Sequence, residues 1–160
     1  AAEHRALTAE SIAALAGRGM LDTSLLADEL AYLLRGGWVK PIRAASCLQD
    51  AASISPLAGW RIVQVLENML PMVGEINRGS ALVQFLLQLA GEYGVSIKIP
   101  EVLQPKMKGS TMLVKNLRAL EKLEPHPTEL AEKARQHAQN LLDKRLGRDI
   151  TVKKEERNAN

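Results

Sequence analysis

Two clusters in this chain have residue types and spacings suited to binding. In LLRGGWVKPIRAAS, residues 33–46, an aromatic ring and two cations, Trp38, Lys40 and Arg43, stand within six positions of one another. Trp and Arg are over-represented among the residues that dominate protein interfaces, so the three could anchor a protein partner. Further on, Lys115, Arg118 and Lys122 recur at i, i+3 and i+7, with Lys106 and Lys108 before them and Lys133, Arg135, Lys144, Arg145 and Arg148 after. That spacing lines one face of a helix, and a row of cations there could neutralise the phosphates of a nucleic acid. Two features weigh against it. Glu121, Glu129 and Glu132 are interleaved, in register for helix-stabilising pairs such as Glu129 with Lys133, and no aromatic stands among the lysines to stack on bases. An ordinary solvated face is the plainer reading.

Catalytic and metal chemistry find less support. His4, His126 and His137 are scattered, with none of the short spacings of a zinc site. Cys47 lies among alanines with no histidine close in sequence, the setting of a small core residue rather than an activated thiol. Asp28-Glu29 and Glu155-Glu156 are adjacent pairs, and neighbours on a helix do not converge. The glycines of GRG, RGG and RGS lack the spacing and the following Lys-Ser/Thr of a phosphate loop. The chain reads as a non-enzyme with no cofactor, no metal and no small-molecule substrate.

The composition limits what can position these residues. A chain of 160 residues fits one domain and can bury roughly 70% of its unfolded surface. Aromatics make up 3% of it, Leu and Ala dominate, and runs of β-branched residues are rare, which favours helix over strand. A single cysteine excludes an internal disulfide and fits a reducing, cytoplasmic setting. No basic start runs into an apolar core like that of a signal peptide, and no apolar stretch reaches the ~20 residues needed to span a bilayer. The opening AAEHR reads as the cut edge of a longer chain. The net charge of +3 is uneven: residues 1–100 hold eight Lys/Arg against nine Asp/Glu, and residues 101–160 hold thirteen against nine.

Cap signals and apolar spacing then predict six or seven helices. Thr8 starts the first, with Leu7 and Ile12 placed for a hydrophobic staple, and Gly17 and Gly19 end it. Asp22-Thr23-Ser24 opens the second, whose leucines at 25, 26, 30, 33 and 34 face inward until Gly36 supplies a left-handed stop. Pro41 begins the third, with Ile42, Ala45 and Leu48 inward, and Ser55-Pro56 begins a fourth that is apolar nearly all round until Pro71. The fifth runs from Ser80 to a stop at Gly94. An extended crossover through Val95, Ile97 and Ile99 leads to a sixth capped by Ser110, with Leu113, Leu117 and Leu120 inward. Pro127-Thr128 opens the last, with Leu130, Ala134, Ala138 and Leu141 on one side. Residues 1–146 are expected to form one α-helical repeat domain, and 147–160 a polar, disordered tail.

A shift of eighteen places sets Leu15 on Leu33, Gly19 on Gly37, Met20 on Trp38 and Leu30 on Leu48. The repeated unit is helix, glycine turn, two apolar residues, helix. Two units make a hairpin of about forty residues, the scale of HEAT and armadillo repeats. In this frame Trp38 plugs the end of its own helix, as Met20 does one unit earlier; the alternative is that Trp38, Lys40 and Arg43 are an exposed anchor. The run Leu33-Leu34, Gly37-Trp38-Val39-Lys40-Pro41 and Arg43 resembles the C-terminal region of an uncharacterised bacterial family with HEAT-like helical repeats. The genes of that family stand beside those of MoxR-type ATPases, von Willebrand A-type proteins and SWIM zinc-finger proteins. The resemblance, carried mainly by GWVKP and extending over about residues 8–125, implies a helical-repeat scaffold and no known activity. The fold expected is all-α, HEAT- or armadillo-like stacked antiparallel hairpins. The function expected is a non-catalytic scaffold or protein-interaction module within a larger protein, with nucleic-acid binding by the Lys115 face as the alternative.

Overall fold

Helices need partners for their first amide groups, and most helix starts here supply one from a side chain. Asp22 accepts from Leu25 N and opens α1 (Thr23–Arg35). Ser55 accepts from Ala58 N ahead of α3 (Pro56–Met69), Thr111 from Val114 N ahead of α5 (Met112–Glu121), and Thr128 from Ala131 N ahead of α6 (Glu129–Arg145). Pro41 begins α2 (Pro41–Ala52) and Gly79 precedes α4 (Ser80–Tyr93) without a side-chain cap. The computed structural model describes residues 21–147. Among them the fold is all-α, with six α-helices, two 3-10 segments and no strand. The predicted Thr8 helix, the Leu15, Gly19 and Met20 half of the repeat, and the tail from residue 148 lie outside the described residues.

Several local expectations shift by a residue or a face. The sixth predicted helix is capped by Thr111, not Ser110, because it is the Thr111 hydroxyl that reaches Val114 N. Gly36 stays right-handed at φ −78°, and the left-handed residue is Gly37 at φ 74°. Leu25 and Ile42 point outward, 59% and 68% exposed. On α2 the buried stripe is Ala44, Leu48 and Ala51, at i, i+4 and i+7, and Ile42 lies off it. Pro71 ends α3 as predicted, and a 3-10 segment, Leu70–Glu75, follows Met69. The crossover at 95–100 has no regular structure. It still buries Ile97 and Ile99, and a second 3-10 segment, Glu101–Lys106, completes it.

The core is organised around α3, which packs against α1, α2, α4 and α6. Its apolar residues on nearly every side, Leu57, Ala58, Ile62, Val63, Val65, Leu66 and Met69, are all buried. Helices two apart also touch, α1 with α3 and α2 with α4, while α5 packs on α4 and α6 returns to α3. At one end an Arg35–Glu75 ion pair of 3.1 Å joins α1 to the first 3-10 segment. α5 holds Leu117 and Leu120 fully buried against the core, with Leu113 half-buried beside them.

Candidate functional site

At the tryptophan corner, backbone hydrogen bonds define the geometry. Trp38 N donates to Leu33 O at 2.9 Å and Gly37 N to Leu34 O at 3.2 Å, the paired bonds of a Schellman helix stop. The indole folds back over the helix end: its Cδ1 and Nε1 lie 2.8 Å from where a Cβ on Gly36 would stand. It nevertheless remains 53% exposed. Lys40 and Arg43 are exposed as well, one before and one inside α2. The corner is thus a plugged helix end whose plug is half open to solvent.

The three cations of the basic face do not act alike. Lys115, Arg118 and Lys122 are all exposed. Arg118 donates from its guanidinium to Met107 O at 2.9 Å, tying α5 to the end of the crossover, and Lys122 lies just past the helix end. On α6 the predicted Glu129–Lys133 pair forms at 3.1 Å, and Arg135 pairs with Glu132 at 2.7 Å. Part of the positive charge is therefore compensated along its own helix. Among the described residues no group of three His, Cys, Asp or Glu could hold a metal ion. Cys47 is half-buried on α2, and His126 Nδ1 lies 3.2 Å from Glu124 O.

Sequence reasoning passed over the most constructed part of the molecule, the surroundings of Tyr93. This residue is 2% exposed, and its hydroxyl donates to Pro56 O at the first turn of α3. Gly59, one turn on, leaves room for that hydroxyl: a Cβ at position 59 would collide with Tyr93 Oη. Trp60 packs on the Tyr93 ring, centroids 5.8 Å apart and planes tilted by 58°, an arrangement favoured between aromatic rings. Gly94 ends α4 at φ 64° with a second Schellman pair, Val95 N to Ala90 O at 3.0 Å and Gly94 N to Gly91 O at 3.2 Å. His126 N then donates to Gly94 O at 2.8 Å, which sets the loop that launches α6. Asn116 was also missed. It is buried on α5 and donates from Nδ2 to Ser80 O at 3.2 Å, serving the start of α4.

Two clefts flank Tyr93. One, about 370 Å³, lies between Trp60, Tyr93 and the alanine-lined side of α6. The other, about 390 Å³, lies between the α2–α3 connection and α4. Burial pushes the Tyr93 phenol up to about 12, with the Glu92 carboxylate adding to the effect. The folded state thus disfavours the phenolate. Its stabilising contribution is fully present below the ordinary tyrosine value near 10 and is lost as pH rises from there through about 12. Alkaline unfolding followed by ultraviolet tyrosine absorbance and circular dichroism is expected to show a tyrosine that ionises together with loss of helix. In Tyr93→Phe that coupled phase disappears; its persistence would assign the effect to another group.

The chain matches no family model, no curated protein and no solved structure. No helix among the described residues is long and apolar enough to cross a membrane.

Proposed function

We propose that this chain is a non-catalytic helical-repeat scaffold, a HEAT-like interaction module within a larger protein, which holds a protein partner on the outer side of α1 and α2. The observation that carries this reading is the apolar surface there. Leu25, Tyr32, Trp38 and Ile42 are 59%, 66%, 53% and 68% exposed, and Leu25 and Tyr32, seven positions apart, share one side of α1. Large exposed apolar residues can serve interaction surfaces, and a Tyr and a Trp supply the anchor chemistry. The repeat architecture is supported by the contacts of α1 with α3 and α2 with α4, as between successive hairpins of a stack. It is supported also by the resemblance at GWVKP.

The test compares the wild-type chain with Trp38→Ala, Tyr32→Glu and Lys115→Glu/Lys122→Glu, each checked for helix content. Proteins captured by the wild type are expected to be lost at least tenfold with the first two variants and retained by the double charge reversal. Labelled duplex and single-stranded DNA and RNA are expected to show no salt-sensitive binding. Micromolar nucleic-acid binding that collapses at high salt and in Lys115→Glu/Lys122→Glu would replace the scaffold reading with the basic-face one. Arg118 is left intact in this design because it holds Met107 O.

A further inference from the structure

The cleft over Trp60 and Tyr93 has a composition of its own. Its far wall is α6, which presents Ala131, Ala134 and Ala138 to it, at i, i+3 and i+7 of the helix. A leucine or phenylalanine at the half-buried Ala131 or Ala138 would fill the space, as native packing ordinarily does. The chain instead places its smallest apolar side chain opposite two of its few aromatic rings. The space left, about 370 Å³, lies within the range of small-molecule sites. It is more than twice the ~150 Å³ of an engineered apolar cavity that takes up benzene.

The polar side chains on the wall each make a contact within the protein. The Tyr93 hydroxyl is given to Pro56 O, and the Thr128 hydroxyl accepts from Ala131 N. His126 has Glu124 O beside Nδ1, and Glu132 and Arg135 are paired with each other. The rest of the lining is mainly Trp60, Val95, Pro127 and the alanines, so most of the wall asks nothing polar of a ligand. A flat apolar molecule fits that wall without disturbing these contacts. Trp60, half-buried and held at a fixed tilt by Tyr93, offers it an aromatic surface. We propose that this cleft binds a small uncharged aromatic molecule of about two fused or linked rings, stacked against Trp60 under the alanines of α6. This extends the molecule beyond a scaffold, since a ligand here would brace the contact between α3 and α6.

The probe is N-phenyl-1-naphthylamine, an uncharged dye that brightens in apolar surroundings, titrated into the full chain carrying Trp38→Phe so that Trp60 is the sole tryptophan reporter. Saturable one-to-one binding in the micromolar range is expected, with quenching of Trp60 emission over the same concentrations. Ala138→Phe fills the cleft from α6 and is expected to weaken the dye at least tenfold while helix content is unchanged. Ala131→Phe repeats the test from a second position, and Trp60→Leu removes the stacking surface, so that a misfolded variant does not decide the matter alone. Absence of saturable binding would overturn the proposal. So would dye binding that survives all three well-folded variants, which would place the dye on the Leu25–Tyr32 surface instead.

Discussion

Replacing Gly94 by alanine is expected to destabilise this protein by about 3 kcal/mol, the sum of left-handed backbone strain and a displaced loop. Gly94 sits at φ 64°, where an L-residue costs about 1–2 kcal/mol. Its surroundings add a second penalty. A Cβ there would strike His126 O, with the Thr128 methyl 2.8 Å away. Neither atom is a flexible side-chain end: one is backbone, and the other belongs to the residue that caps α6. The loop must retreat, and the hydrogen bond from His126 N to Gly94 O goes with it, about 1 kcal/mol more. Gly37 is the internal control. It has the same sign of φ, 74°, with nothing within 4 Å of a Cβ. Gly37→Ala bears only the backbone term, partly offset by the stiffer unfolded chain, and is expected to cost about 1 kcal/mol or less. Thermal and urea unfolding followed by circular dichroism would measure both. Equal effects at the two sites would remove the role assigned to the His126 loop.

Gly59→Ala tests the Tyr93 lodgement in the same way and has a diagnostic sign. Inside an α-helix the exchange ordinarily stabilises by about 1 kcal/mol. Here the new methyl group would occupy the place of Tyr93 Oη and press on Cζ at 2.9 Å. The ring is buried and anchored to Pro56 O, so it cannot turn aside without vacating its pocket beside Trp60. Overpacking of this kind costs about 1–3 kcal/mol, so after the propensity gain the net expectation is a loss of about 1 kcal/mol where propensity alone predicts a gain. Tyr93→Phe removes the atom in worst conflict. In that background Gly59→Ala is expected to lose at least 1 kcal/mol of its penalty, within the usual coupling range of contacting residues. A stabilising Gly59→Ala, or strictly additive single and double variants, would refute the arrangement.

The helices were legible because their signals are local. Asp22, Ser55 and Thr128 serve amides three residues on, and Gly94 needs only its own φ to be read as a stop. The all-round apolar pattern of α3 announced a central helix, and α3 is the one that α1, α2, α4 and α6 share. The Glu129–Lys133 pair followed from a spacing of four. Choosing the buried stripe of a short helix was harder. α2 buries Ala44 and Ala51 rather than Ile42, because the position of a stripe is set by the neighbour it meets, and alanines give little sequence contrast.

What only the tertiary structure decided lies at long sequence separation. Tyr93 reaches Pro56 across 37 residues, and Asn116 reaches Ser80 across 36. No periodicity encodes such partners, since each depends on which helices become neighbours. Gly59 looks like a flaw in a helix until Tyr93 is seen to need its missing Cβ. The alanines of α6 look like a weak core face until Trp60 is found opposite them. Composition, caps and spacing by themselves determined that the chain is helical, where most helices begin and which one is most buried. The return of α6 to α3, the lodging of Tyr93 and the clefts on either side of it arise from packing between distant segments, where the shape complementarity of two surfaces, rather than the pattern of either, sets the result.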